Sequence, residues 1–313
     1  MSDAVTAGWA RLKEQPGKTL ADLFGDDGRL ARYATTLELP GGDVLFDWSK
    51  THLDDALIAE FEALADACGF AERRNALFSG EKINSTEGRA VEHTAQRGVG
   101  SEEAVDQAGA FHARMRALVG AIHGGLLGEI KHLIHIGIGG SALGPALAVD
   151  ALARDGALVD VHVVSNIDGC ALEAAFAACD PATTLVAVAS KTFTTIETMT
   201  NAASALAWLS ENGVDDAFGR VVALTAAPDK AVEWGVDETR VLPFAESVGG
   251  RYSLWSSIGF PIALALGWDE FAAFLDGAAA MDRHFLEVDG FANLPLRAAK
   301  ADRNLTRPAW SKP

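Results

Sequence analysis

The sequence predicts an α/β protein: a doubly wound, five-stranded parallel sheet of strand order 2-1-3-4-5, preceded by a mainly helical N-terminal region. Three observations carry that expectation. From about residue 131 to residue 245, short apolar runs alternate with helical stretches, a pattern that covers both faces of a parallel sheet with crossover helices. The runs are six or seven residues long, the length of strands rather than helices. Two of them stop at loops rich in glycine or hydroxyl groups, and ligands of such sheets bind beyond the C-terminal ends of the strands.

Residues 1 to about 110 read as helical and irregular, with a hairpin-like stretch from Ala34 to Trp48 that turns at Pro40-Gly41-Gly42. Leu53 to Phe70 and Glu102 to Leu127 carry helical apolar spacing. Residues 111–270 are expected to form the sheet domain, with strands at 133–138, 159–165, 183–189, Arg220–Thr225 and Thr239–Phe244. The intervening helices are expected at 141–154, 168–178, 195–211 and 228–234, and residues 271–313 begin a further helical segment. In the order 2-1-3-4-5 the first and third strands are neighbours whose helices lie on opposite faces, so a crevice opens between their ends.

The third strand ends in Ser190-Lys191-Thr192-Phe193-Thr194-Thr195, which places five hydroxyl or ammonium groups in six positions at the start of a helix. Unpaired N–H groups and the positive end of the helix dipole favour an anion there. Several donors with one lysine suit the acceptor oxygens of a phosphate monoester. A lone threonine in this place would read as a helix cap; the density of donors favours a phosphate cradle. The first strand ends in Gly137-Ile138-Gly139-Gly140-Ser141, where Gly140 lets the backbone approach a ligand and Ser141 is a cap or ligand donor.

Gly137-x-Gly139-x-x-Ala142 also fits a dinucleotide fingerprint. That reading needs an acidic residue at the end of the second strand, but the strand ends in Ser165-Asn166 with Asp168 beyond it, and it gives the Ser190–Thr195 loop no part. After the fifth strand, Gly249-Gly250-Arg251 offers a guanidinium on a constrained turn. The alternative is that Arg251 pairs with Glu246 or caps a carbonyl.

Composition excludes several classes. The 313 residues have a formal net charge of −17, against binding to nucleic acid or acidic membranes, which need clustered Lys and Arg. An anionic substrate then needs a locally positive site, which Lys191, Arg251 and two helix N-termini could supply. No apolar run reaches membrane-span length and the N-terminus lacks a signal-peptide design, so a cytoplasmic location is expected. Cys68, Cys170 and Cys179 fit neither a disulfide framework nor zinc spacing. His132, His135 and His162 read as strand residues with satisfied ring nitrogens, so no metal is expected.

His135 to Pro145, Ser190 to Ala202 and Glu246 to Gly259 closely resemble three motifs of the glucose-6-phosphate isomerase (phosphoglucose isomerase) family. Asp47-x-Ser49-Lys50 and the stretch from Phe78 to Val91 resemble its N-terminal portion, and the likeness runs in order from about residue 20 to about 298. The resemblance implies interconversion of glucose 6-phosphate and fructose 6-phosphate through an enediol(ate), without metal or organic cofactor. It implies a first sugar-isomerase (SIS) domain that grips the phosphate through Ser190, Lys191, Thr192 and Thr195, with Gly140 and Ser141 along the sugar. Arg251 would stabilise the developing oxyanion. A homodimer is expected for the intact family.

The sequence also departs from the family. The glutamate base lies in a Glu-Ser-Asn-Gly-Lys loop there, whereas Glu-Ser occurs here only at Glu246-Ser247. Lys300 to Pro313 is polar where the family continues in an apolar helix. The chain is therefore expected to hold the N-terminal region, the first SIS domain and the helical start of a second, truncated one, and to bind its sugar phosphate better than it turns it over. A non-catalytic sugar-phosphate-binding module stands as the alternative.

Overall fold

The structure is a computed structural model that describes residues 2–39 and 41–305; Pro40 of the expected turn and the polar tail from Thr306 onward lie outside the described residues. Contacts divide the chain into two compact units, one of residues up to Ser79 with those from Gly277 on, the other Gly80–Asp276.

In the first unit, α1 (Asp3–Glu14), α2 (Leu20–Leu23) and α3 (Arg29–Tyr33) precede a hairpin of β1 (Ala34–Leu37) and β2 (Val44–Asp47), paired antiparallel. The hairpin is followed by α4 (Asp55–Ala67) and α5 (Phe70–Phe78). Val5 and Leu12 of α1 share a core with Leu57, Phe61 and Leu64 of α4. A Cβ on Gly8 would lie 3.0 Å from Leu64 Cδ1, so the glycine sets how closely the helices approach. Buried Arg29 donates to the carbonyls of Ser49, Thr51 and Leu53 and lies 4.4 Å from the Tyr33 ring centre, which fixes the loop before α4.

The second unit contains α6 (Glu102–His123) and then alternating elements: β3 (His132–Gly137), α7 (Gly140–Leu152), β4 (Asp160–Val164), α8 (Gly169–Ala178), β5 (Thr184–Ala189), α9 (Ile196–Glu211), β6 (Val221–Thr225), α10 (Pro228–Trp234) and β7 (Val241–Pro243). The sheet is parallel in the order β4-β3-β5-β6-β7, which is the predicted 2-1-3-4-5. Period-two alternation along the central strands sorts side chains to two cores. Leu133, Leu185, Ala187 and Leu224 pack with Met115 and Val119 of α6, Ala148 of α7 and the helix α11 (Phe260–Leu266). Ile134, Ile136, Val186 and Val188 pack with Leu172 of α8, and Ala202, Ala205 and Leu209 of α9. Each fully buried Leu, Ile or Val contributes roughly 1.5–3 kcal/mol, so β3 and β5, covered on both sides, are the rigid centre from which the ligand loops project. α12 (Trp268–Glu287) and α13 (Leu294–Leu305) complete the described chain. No described helix is long and apolar enough to cross a membrane.

Residues 80–110 group with the sheet, although the sequence pattern draws a boundary near 110. The Glu92 N–H donates to the Ser247 carbonyl at 3.3 Å and Arg89 donates to that of Glu246. Bonds to main-chain carbonyls leave no trace in hydrophobic periodicity.

Candidate functional site

β5 is buried along its whole length, and the Ser190 N–H extends its ladder by donating to the Leu224 carbonyl at 3.0 Å. The chain then reverses at Phe193, among the described residues the only non-glycine with positive φ, at +53°. That conformation costs about 1–2 kcal/mol. It is offset by burial of the ring, which meets Trp234 edge-on at 5.7 Å. Anchoring Phe193 leaves Thr192 and Thr194 exposed and Lys191 and Thr195 half-buried.

Thr195 is the N-cap residue of α9, yet its side chain makes no cap bond. Its Oγ1 instead lies 3.0 Å from Ser190 Oγ, while the Thr192 and Thr194 hydroxyls are 2.8 Å apart. The α9 terminus therefore keeps its N–H groups free of a capping side chain beside four hydroxyls. The bland reading of Thr195 as a cap does not describe this geometry.

The Lys191 main chain is pinned, its carbonyl accepting from the Ala226 N–H at 3.0 Å and the Thr225 hydroxyl at 3.2 Å. Its Nζ donates to the Glu246 carbonyl at 2.7 Å, the oxygen that also accepts from Arg89. Burial, and then the Arg89 guanidinium, lower the Lys191 pKa. Two cations thus converge beside the hydroxyl loop in a chain of net charge −17.

The loop after β3 is built from glycine. Gly139 adopts φ +59° and ψ −120° as the N-cap of α7, a region that L side chains avoid. Inside α7, Pro145 has no N–H to return to the Ser141 carbonyl four residues back. His135, wholly buried on β3, fills that place: its Nε2–H donates to the Ser141 carbonyl at 2.7 Å. Burial drives the imidazole pKa down to about 4, so the ring is neutral at pH 7 and Nδ1 has no described partner. The sequence expectation of fully satisfied ring nitrogens fails here, because the apolar core offers Nδ1 no donor.

Glycines also join the loops. A Cβ on Gly140 would fall 2.2 Å from the Gly250 carbonyl carbon and oxygen, so the two main chains touch with no side chain between them. A Cβ on Gly137 would lie 3.0 Å from Ser141 Cβ and 3.1 Å from Ala189 Cβ; one on Gly249 would lie 3.4 Å from Lys191 Nζ. Gly140 and Ser141, the Ser190–Thr195 loop and the Gly249–Arg251 turn therefore surround one place at the C-terminal ends of β3 and β5. Gly250 has φ +64°, and the segment after it is held by Ser253 donating to the Gly250 carbonyl at 2.8 Å and Ser257 to that of Pro243 at 2.6 Å. Arg251 is exposed. No hydrogen bond or ion pair joins its side chain to Glu246, to a carbonyl or to any other group among the described residues, so neither alternative is formed and the guanidinium is available to a ligand.

Sequence reasoning gave no role to Arg89 or His93. His93 Nε2 lies 2.9 Å from the Gly249 carbonyl oxygen and 3.0 Å from the Gly249 nitrogen, so its tautomer decides which bond forms. Burial, against the Gly249 contact, lowers its pKa. Both residues lie in or next to the stretch whose family likeness ends at Val91, which was the available signal; Arg89 also pairs with Glu87 two residues before it, but the carbonyls that tie both residues to the site lie more than a hundred residues away.

The family model of phosphoglucose isomerase matches residues 47–305. The chain is 71% identical over 299 residues to the glucose-6-phosphate isomerase of Novosphingobium aromaticivorans, covering 96% of this chain and 59% of the relative. It is 67% identical over 316 residues to that of Erythrobacter litoralis, covering 98% and 61%. A crystal structure of a glucose-6-phosphate isomerase from Chlamydia trachomatis superposes with a TM-score of 0.84 at 25% identity, over 98% of this chain and 60% of that one. The chain thus spans about three-fifths of the length of the relatives it matches. The match of the family model over residues 47–305 and identity of this height over nearly the whole sequence agree with a parallel sheet in the predicted order: the chain belongs to the phosphoglucose isomerase family.

Proposed function

We propose that this chain takes part in the interconversion of glucose 6-phosphate and fructose 6-phosphate through an enediol(ate) intermediate. Residues 111–270 act as the first SIS domain, Ser190, Lys191, Thr192 and Thr195 bind the phosphate, Gly140 and Ser141 lie along the sugar, and Arg251 faces the oxygen that gains charge. A permanent cation placed where an oxyanion develops lowers the barrier to the proton transfer that forms it. The observation that supports this reading is the chain of contacts from Ser141 through Gly140 and Gly250 to Lys191, which brings the hydroxyl loop and an unpaired guanidinium to one place. A cytoplasmic enzyme and the homodimer that the resemblance implies belong to the same proposal.

The carbon acid also needs a general base within hydrogen-bond reach. The 313 residues contain no Glu-Ser-Asn-Gly-Lys, the loop that holds the base in the resemblance. The alternative reading, a sugar-phosphate-binding module without turnover, is favoured by that one observation. For the 313 residues by themselves the expectation is saturable binding of fructose 6-phosphate with turnover far below that of a protein carrying the loop, since general acid–base catalysis alone contributes about 10²–10⁴-fold. Calorimetry and a coupled assay on the same preparation test both halves. Lys191→Ala is expected to raise the dissociation constant about tenfold or more, a charge-assisted bond to phosphate being worth roughly 1.5–3 kcal/mol. Unchanged affinity in that variant removes the cradle from the proposal. Full turnover by the 313 residues would make a carboxylate present here, Glu197 or Glu246, the base.

A further inference from the structure

The other end of the sheet holds a cluster that the proposed reaction does not use. His132 opens β3, His162 lies in the middle of β4 and Cys179 follows α8. One potential ligand atom from each falls within 4.8 Å of the other two. The two rings lie 5.8 Å apart, tilted by 44°, because β3 and β4 pair with Ile134 opposite His162 and place both histidines on the α8 side of the sheet. His132 Nδ1 and His162 Nε2 are buried without a hydrogen-bond partner among the described residues. Asp160, directly opposite His132, brings a carboxylate oxygen 4.0 Å from His132 Nδ1, beyond hydrogen-bond reach.

Buried ring nitrogens without partners carry an uncompensated desolvation cost. Here each of the two histidines carries one, a ring nitrogen of each lies within 4.8 Å of the Cys179 sulfur, and a carboxylate lies beside them. A tetrahedral zinc ion with imidazole and thiolate ligands holds those atoms roughly 3.3–3.6 Å apart, so small rotations of three side chains turn the observed spacing into coordination geometry. The soft sulfur and borderline nitrogens select a zinc-type dication over magnesium or calcium. We propose that His132, His162 and Cys179 form a structural site for a divalent zinc-type ion, which ties the sheet's edge strand β4 and the α8–β5 connection to β3, with Asp160 balancing its charge.

The sequence spacing conceals the site, since the three ligands come from three separate elements. The strand β3 puts about 17 Å between His132 and the glycine loop, so the site is independent of the proposed sugar-phosphate chemistry. Burial holds the Cys179 thiol pKa up at about 11; coordination replaces its proton with the metal, so binding releases one proton per ion.

Co²⁺ is the probe, because a thiolate ligand gives it a sulfur-to-metal charge-transfer band. Titration into the 313-residue chain is expected to develop that band to one equivalent, to release about one proton per ion in buffers of different ionisation enthalpy, and to be reversed by Zn²⁺. Cys179→Ser is expected to abolish the band, and His162→Ala to weaken Co²⁺ binding by at least about tenfold, the smallest loss usual even for an outer-shell partner. Cys68→Ser with Cys170→Ser, both exposed, is expected to retain it. Absence of the band from the unaltered chain, its persistence in a folded Cys179→Ser protein, or binding without proton release would each overturn the proposal. Proton release by the unaltered chain decides the matter if Cys179→Ser does not fold.

Discussion

Thr195 occupies the position where a threonine usually caps a helix, but its hydroxyl faces Ser190 instead. Stability and binding should therefore separate at this residue. A working threonine cap contributes about 1 kcal/mol, whereas the half-buried Thr195 hydroxyl bonds only to Ser190, so in a Ser190→Ala background, where that bond is already gone, Thr195→Ala is expected to change unfolding stability by less than about 0.5 kcal/mol. The same substitution is expected to weaken fructose 6-phosphate binding several-fold to about tenfold, because it removes a donor to a charged ligand. Chemical denaturation in that background and calorimetry on Thr195→Ala alone measure the two, and a loss of stability near 1 kcal/mol with intact affinity would restore the cap reading. The concentration of hydroxyls in this loop was legible in the sequence because side-chain identity alone encodes it. The pairing of Ser190 with Thr195 was not, since it depends on the left-handed turn at Phe193, and a bulky aromatic gives no warning of positive φ.

At the level of elements, α7 keeps a proline in its interior because a histidine on the neighbouring strand takes over the carbonyl that the proline releases. His135 is neutral in the fold with a pKa of about 4, against the ordinary 6.5. The unfolded chain thus takes up the proton first as pH falls. Its contribution to stability is whole above about pH 6.5 and is lost as pH drops toward 4, at up to about 1.4 kcal/mol per pH unit. His135→Leu is expected to flatten that part of the stability profile in urea unfolding at pH 7, 6 and 5. In a Pro145→Ala background the restored N–H reaches the Ser141 carbonyl itself, so His135→Leu is expected to cost about 1 kcal/mol less there than in the parent. Equal costs in the two backgrounds would show that the bond to Ser141 does not support the helix. The strands and helices of the sheet unit were readable to within a few residues, since β5 and β6 are buried throughout and apolar but for Thr184 and Thr225. What escaped the reading depends on three-dimensional adjacency: His132 meeting His162 across a register, and Arg89 and His93 reaching carbonyls more than a hundred residues away.

For the molecule as a whole, a net charge of −17 surrounds a site where Lys191, Arg89 and Arg251 are gathered. A dianionic sugar phosphate is repelled at long range and attracted at short range. Salt screens exposed charges beyond a Debye length, about 30 Å at 0.01 M and 8 Å at 0.15 M, and acts less on the half-buried pair of cations. The association rate constant for fructose 6-phosphate is therefore expected to rise as salt increases over this range, the reverse of a steered encounter. Stopped-flow tryptophan fluorescence measures it; a rate that falls with salt would mean that the local cations dominate the field even at a distance.

The meeting of Gly140 and Gly250 without side chains between them has a mechanical consequence. Two main chains in contact leave no compressible layer, so the turn bearing Arg251 and the first turn of α7 can shift only together. Because Lys191 abuts Gly249, a phosphate settling in the hydroxyl loop restrains the same turn from its other side. Under the proposed function, occupancy at the phosphate end of a ligand would then stiffen the guanidinium at its other end, so that the part of the sugar meant to undergo no chemistry would rehearse the part that does.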